Sequence, residues 1–521
     1  MNIVLKNPKE IREVTVSLET FKLDDFMAVV RYGAKIRFAE DMCLAVKRNR
    51  ARVDRYLEEG RIYYGVTTGF GDNVQFTISP KDAGQLQKNI VRTHSVSVGT
   101  PYTKEQARAL MLTIIIMHRK GYGGIALETL ELLRDFLNHD LHPFIPGEGS
   151  IGGLGQEGHL AMALIGEGTF LVDGKRVPAK DVLAAEGLAP RELKCKEGLS
   201  LLDGPLAATA MSVIPLYDCI TAMKTADIAT AICFEALRGT TKTLDPRIYM
   251  HKEHLADRAT ADNMRRLTAG SEICAFYRDS KVQDAYVLRS AARVHGAGKQ
   301  LVLECYDAIM KELNSCPDNP QVYDNDTEEG ECLMSANFDG TLMAIHADML
   351  CMASAIVATN CERSTDRMIN HHLSGGLPPF LVTDPGLNSG FMIPQYTSAG
   401  LLSDIKQACM PSTIDSIPVS AGQEDPNPMA YSAGPRAQDC MRRFHYILAI
   451  ELVTALQAVD FVQPQKQGPA TKAVHDFIRQ KVSFMDKDRF IYPDLEYVYG
   501  LIREGAVVEI AEAVAGTLNF E

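Results

Sequence analysis

The sequence predicts a mainly α protein: a bundle of long helices with a smaller mixed region on its N-terminal side. Three observations carry that expectation. Apolar residues recur at helical spacing over long stretches beyond residue 205, as in Leu342, Ile345, Met349, Met352 and Ile356 and again in Leu448, Leu452, Ala455 and Val459. Strong β alternation is missing from those stretches. Finally, the densest glycine segment, Ser150 to Gly158, falls before them, after the Pro-broken stretch holding Pro143 and Pro146. The expected division is a mixed region over 1–204 and a long-helix bundle over 205–521.

Residues 1 to about 60 read as a charged surface mixture with short helices, one of them holding Ala45 to Leu57. Tyr63 to Gly71 follows as a loop with three glycines, a segment type that can be a plain turn or can carry functional side chains. Thr103-Lys104-Glu105-Gln106 has capping-box form and opens a helix through Leu110, Ile114 and Met117. A second helix places Leu127, Leu130, Leu133 and Leu137 on one stripe. Phe170 to Val177, with Asp173-Gly174 between short apolar runs, reads as a hairpin, and most of the expected strand lies there. Between the later helices lie polar clusters at 283–289, 335–339, 387–391 and 421–425. Bundles build sites at such places.

Lys and Arg number 54 against 66 Asp and Glu, a net charge of −12 with no basic run, so nucleic acid and anionic membranes are disfavoured as partners and a small-molecule ligand is expected. The start, Met1 to Lys6, lacks the layout of a signal peptide, and no uninterrupted apolar run reaches about 18 residues. A cytoplasmic location follows as the expectation. The 12 cysteines are scattered from Cys43 to Cys440 without a C-x-x-C, so neither a metal site nor a disulfide framework is signalled. Gly153 to Gly158 satisfies G-x-G-x-x-G, but the two prolines before it deny the buried strand that a dinucleotide site needs.

Taken in order, these segments resemble the histidine and aromatic amino acid ammonia-lyase family. Tyr64-Gly65-Val66-Thr67-Thr68-Gly69-Phe70-Gly71 is similar to its Y-G-[IV]-N-T-G-F-G loop, with Thr67 for the Asn. Leu86-Gln87 through His94 and Gly99 is similar to its L-Q…SH…G segment, and Asp284 to Arg289 to its D-P-Y-S-L-R. Leu377 to Leu381, Asn388 to Met392 and Gln423-Glu424-Asp425 complete the set. The resemblance implies the family's long-helix bundle and a homotetramer whose sites draw on several chains. Two positions depart from it. The family's Ala-Ser-Gly triad cyclises into a methylidene-imidazolone, an electrophile that activates an amine leaving group. Here the aligned residues are Gly153-Leu154-Gly155, and leucine has no β-hydroxyl to lose, so that prosthetic group is expected to be absent. The family's Asn in L-L-N-G-T-Q is Asp203, which places a carboxyl where the substrate amine is handled.

An enzyme lacking the electrophile needs a substrate whose leaving group departs unaided. A quaternary ammonium leaves as neutral trialkylamine, so the expected reaction is elimination of trimethylamine from an imidazole amino-acid betaine, with ergothioneine going to thiourocanate as the leading case. The alternatives are an ammonia-lyase or aminomutase acting on histidine or another aromatic amino acid without the electrophile, and a non-catalytic family member. By resemblance and chemistry, Arg289 clamps the carboxylate. Tyr64 is the candidate base for the Cβ proton, with Tyr286 as alternative base or orienter. Glu424 and His94 hold the ring, although a His satisfied by a backbone carbonyl is an equal reading. Asn337 and Phe338 line the pocket, and Gly153 and Leu154 leave room at the amine end.

Overall fold

The computed structural model describes residue 3 and residues 5–152, 154–323 and 330–521. Its centre is a set of long helices, α7 (Leu206–Ala236), α8 (Ala291–Leu313), α9 (Thr341–Ile369), α10 (Met392–Ala408) and α11 (Ala430–Asp460). The most extensive packing is that of α11 on α7 and on α9. Apart from Lys224, α7 is buried on every face, as expected of a central rod without an amphipathic stripe. The predicted stripe on α11 is core, with Leu448, Leu452, Ala455 and Val459 all buried. That on α9 is not. Leu342, Ile345 and Ile356 are exposed at 49%, 39% and 39%, and α9 buries its alanine-rich side instead.

Ahead of the bundle run α1 (Glu40–Glu58), α2 (Ala83–His94), α3 (Lys104–His118), α4 (Leu127–Asn138), α5 (Gln156–Leu164) and α6 (Glu197–Leu202). The capping box at Thr103 is formed in full, so α3 starts where the sequence says, and α3 and α4 bury their predicted apolar residues.

Four two-stranded sheets are present among the described residues. β1 (Glu13–Val16) pairs in parallel with β2 (Lys35–Phe38), whereas β3 (Val98–Pro101) with β4 (Pro146–Glu148), β5 (Thr169–Val172) with β6 (Lys175–Pro178), and β7 (Gln321–Tyr323) with β8 (Glu331–Leu333) pair antiparallel. The β5–β6 hairpin turns at Asp173 and Gly174, both at positive φ, as predicted. The other three correct the expectation. In β1 only Val14 and Val16 point inward between polar neighbours, and four residues are too few for a period to stand out.

Two stretches, Glu197–Ala236 and Thr341–Ile369, are long and apolar enough to cross a membrane by length and composition. The most apolar part of the first is wholly buried by the surrounding helices and that of the second just over half buried. The sequence reading had found no such run, because scattered polar residues interrupt both.

Candidate active site

Tyr64 lies on the loop between α1 and α2, half-buried, its ring edge-on to Phe70 at 6.4 Å. Its hydroxyl accepts a hydrogen bond from the Gly71 N–H at 2.9 Å. Local chemistry fixes the loop. Gly65 is at φ +63°, and a Cβ there would lie 2.4 Å from Leu199 Cδ2, so only glycine fits. The buried Gln87 amide donates to the Gly65 carbonyl and accepts from Leu199 N–H, tying the loop to α6. Thr67, where the family has Asn, donates to the Arg61 carbonyl at 2.7 Å and accepts from Tyr63 N–H at 3.0 Å.

The segment after Tyr64 meets the loop carrying Glu424: a Cβ on Gly71 would lie 2.9 Å from Ser420 Oγ and 3.9 Å from Glu424 Oε1. That second loop bridges back on itself between Val419 and Glu424, and holds Ser420, Ala421 and Met429 at positive φ. Backbone strain of this kind persists where the surroundings over-determine it. Here Asp348 of α9, paired with Arg436 of α11, accepts from Ser412 N–H at 2.9 Å and so anchors the loop's start.

His94 ends α2. Its Nδ1 lies 2.8 Å from the Ile90 carbonyl, so that nitrogen carries the proton and Nε2 is left as acceptor. The contact is the one expected of a His satisfied by a backbone carbonyl. Burial pushes its pKa down, partly opposed by that carbonyl and by the nearby Glu424 carboxylate. Gly158 packs on the His94 backbone, where a Cβ would lie 2.8 Å from its carbonyl oxygen.

Asp203 caps the end of α6. Its Oδ1 accepts from Gly204 N–H at 3.1 Å, and Asn319 also hydrogen-bonds the carboxyl. Asn319 in turn accepts from Ser335 N–H at 2.8 Å, which joins Asp203 to the loop of Asn337 and Phe338. Behind it lies a fully buried ion pair, Lys196 with Asp318 at 2.8 Å. Burial, reinforced by the Asp318 carboxylate and opposed by Lys196, raises Asp203 to about 8. Burial thus favours the neutral acid over the expected anion at neutral pH. Burial also pushes the Tyr64 hydroxyl above its ordinary value. Gly71 N–H opposes the shift, while Asp203 and Glu424 add to it.

The glycine segment closes this corner. Leu154 sits at φ +63° with Gly155 at +143°, its carbonyl accepting from Ser150 Oγ at 2.9 Å and its side chain packed on the main core. A Cβ on Gly152 would lie 2.4 Å from Pro428. Gly153 lies outside the described residues. A methylidene-imidazolone does not fit these residues: the central side chain is an aliphatic one already packed, and the hydroxyls near Gly155, those of Ser150 and Ser97, belong to residues outside the triad.

Tyr64, His94, Asp203 and Glu424 are therefore brought together, with Leu154, Asn337 and Phe338 on adjoining segments. Tyr286 and Arg289 are not. Tyr286 is 73% exposed, and Arg289 lies 5.8 Å from its ring and donates to Gln283. The next residues fix where they are, since Asn360 of α9 donates to the Val287 carbonyl at 3.2 Å. Asn360 is nineteen residues along α9 from Thr341, roughly 28 Å of helix. The cluster at 387–391 has a structural task instead: Asp488 accepts from Ser389 and Gly390 N–H. Sequence reasoning missed Asn319, Lys196 and Asp318, whose signal was a Lys-rich, Asp-Asn-Pro context without periodicity. It also passed over Glu157, a charge in an otherwise apolar helix.

The sequence description of aromatic amino acid lyases fits residues 21–480. The chain belongs to that family. It is 38% identical over 505 residues to a histidine ammonia-lyase of Alkaliphilus oremlandii, covering 96% of this chain and 99% of the relative. Among solved structures it is similar to tyrosine aminomutase from Streptomyces globisporus, with TM-score 0.92, 30% identity and coverage of 96% and 99%. It is also similar to ergothionase from Treponema denticola in complex with desmethyl-ergothioneine sulfonic acid, with TM-score 0.86, 25% identity and coverage of 95% and 99%. The long-helix architecture is the ammonia-lyase fold, and the chain is a carbon–nitrogen lyase of this family.

Proposed function

We propose that the protein eliminates trimethylamine from an imidazole amino-acid betaine without a methylidene-imidazolone, with ergothioneine to thiourocanate as the leading reaction. The observation that carries this reading is Leu154 at the centre of the triad, beside an Asp203 carboxyl that a bound cation would ionise. A base removes the Cβ proton, the C–H electron pair becomes the Cα–Cβ double bond, and the Cα–N pair departs with neutral trimethylamine. No proton has to reach nitrogen. Tyr64 is the proposed base. Its phenolate is disfavoured by the two carboxyls beside it and favoured by Gly71 N–H, and a permanent cation next to Asp203 would tip that balance. Glu424 and the Nε2 of His94 would hold the ring.

Arg289 and Tyr286 would complete the pocket from another copy of the chain. Two observations support this: they stand roughly 28 Å or more along α9 from the Asp203 corner, and the apolar stripe of α9 is uncovered. A homotetramer of the family's kind is the proposed assembly.

A second reading has its own support, because relatives at 38% identity carry the histidine ammonia-lyase name while the ergothionase stands at 25%. In that reading ammonia leaves from histidine by a route without the electrophile. Incubating the purified protein with ergothioneine, histidine betaine and histidine, and assaying trimethylamine and ammonia, separates the two. Trimethylamine from a betaine is the expected result. Ammonia from histidine with the betaines untouched would overturn it.

A further inference from the structure

Four helices begin at one point. The Glu157 carboxyl, in the first turn of α5, accepts at Oε1 from Ala207 N–H in the first turn of α7 at 2.8 Å and from the Tyr431 hydroxyl in the first turn of α11. A Cβ on Gly340, the residue before α9, would lie 3.3 Å from Pro205 Cβ, 2.9 Å from Ala430 Cβ and 3.7 Å from the Gly152 carbonyl. The starts of α5, α7, α9 and α11 thus converge against the glycine segment. Each helix N-terminus carries roughly half a positive charge, so a corner built from four of them repels a cation.

Glu157 has no solvent exposure, and its Oε2 has no hydrogen-bond partner among the described residues. Beside it both amide atoms of the fully buried Gln156 are unpartnered too. A buried carboxyl with one oxygen free is costly unless a complement arrives. The groups facing it are Tyr431 and Tyr102, neither of them cationic. The other carboxyls at this end are Asp203, three residues before α7 and faced by Asp318, Lys196 and Tyr64; Asp339, which accepts from Thr341 N–H at the start of α9; and Glu424 near Tyr64.

We infer that Glu157 is a specificity-determining residue, whose carboxylate offsets the converging helix ends so that the pocket accepts a permanently charged ammonium group. The inference rests on the betaine reading and extends it to a residue behind the pocket wall. Burial raises Glu157 to about 7, with the Tyr431 hydroxyl and Ala207 N–H opposing the shift. At neutral pH a share of the molecules therefore hold it protonated. A cation binding nearby draws it to the carboxylate, and the proton passes to the buffer.

The test uses two non-reacting ligands of one shape with a ring that does not titrate, benzyltrimethylammonium and its uncharged isostere neopentylbenzene. Calorimetry at neutral pH in buffers of different ionisation heat gives both the affinity and the protons released. The intact protein should bind the cation at least about tenfold more tightly and release protons. Glu157→Gln, which keeps the geometry but not the charge, should lose about tenfold of that preference and lower the proton count. Unchanged preference and proton count in Glu157→Gln would overturn the inference and leave the betaine reading standing. No preference in the intact protein would overturn both. Should Glu157→Gln not fold, Tyr431→Phe perturbs the same group, because it removes the hydroxyl that favours the Glu157 carboxylate: more protons released on cation binding are expected, and an unchanged number refutes the role of Glu157.

Discussion

At one end of the bundle Tyr64, His94, Asp203 and Glu424 lie within electrostatic reach of one another, three of them half-buried on rigidly tied loops. At the other end Tyr286 is 73% exposed, and Arg289 pairs with no carboxylate among the described residues. A guanidinium and a phenol left open on a surface contribute little to folding of the chain that carries them, whereas the buried acid at Asp203 opposes it at alkaline pH. The contrast teaches that burial separates the two groups of candidate residues within one chain, and it supports the proposed assembly, in which one chain would hold the ring and amine end of a pocket and offer Arg289 to another.

The largest effect expected from this contrast is at Tyr64. Tyr64→Phe should lower turnover of the betaine by about 100-fold or more if the phenol is the base. Near wild-type turnover would remove it from that role. Next comes Arg289→Ala, which should raise KM and cost about 2 to 3 kcal/mol in kcat/KM through loss of a charge-assisted pair. Mixing that variant with Tyr64→Phe during refolding or co-expression sharpens the comparison: pockets drawn from two chains regain activity in the mixture, and pockets held within one chain do not. Asp203→Asn should reduce the preference for a trimethylated over an uncharged ligand by about tenfold, read from competitive binding.

The smallest effect concerns stability. Folded-state values of about 8 for Asp203 and about 7 for Glu157 stand above those of carboxyls in an unfolded chain. The folded state therefore holds protons that the unfolded chain has released. Its stability is greatest below the unfolded values, about 4, and is lost at about 1.4 kcal/mol per pH unit for each group as pH rises toward the folded values of about 7 and 8, where the loss levels off. A urea midpoint lower at pH 8.5 than at pH 6 is expected, and a higher one would contradict the enclosure of both carboxyls.

Much of this was legible in the residues. The capping box at Thr103, the Asp173-Gly174 turn and the α11 stripe are local codes, and each formed as read. The α9 stripe reads identically to that of α11 yet faces outward, because periodicity tells which residues share a face and not what covers it. β1 and β2 escaped notice because four-residue strands among charges carry too little pattern.

By itself the sequence determined the helical class, the family motifs and the missing hydroxyl at Leu154, since each is a property of residues adjacent in the chain or repeated along it. Only the tertiary structure decided that burial raises the Asp203 carboxyl, that Glu157 sits where four helices begin, and that Arg289 stands apart from Tyr64. Those depend on burial and on distances between segments far apart in sequence, and neither quantity is written in any local run of residues.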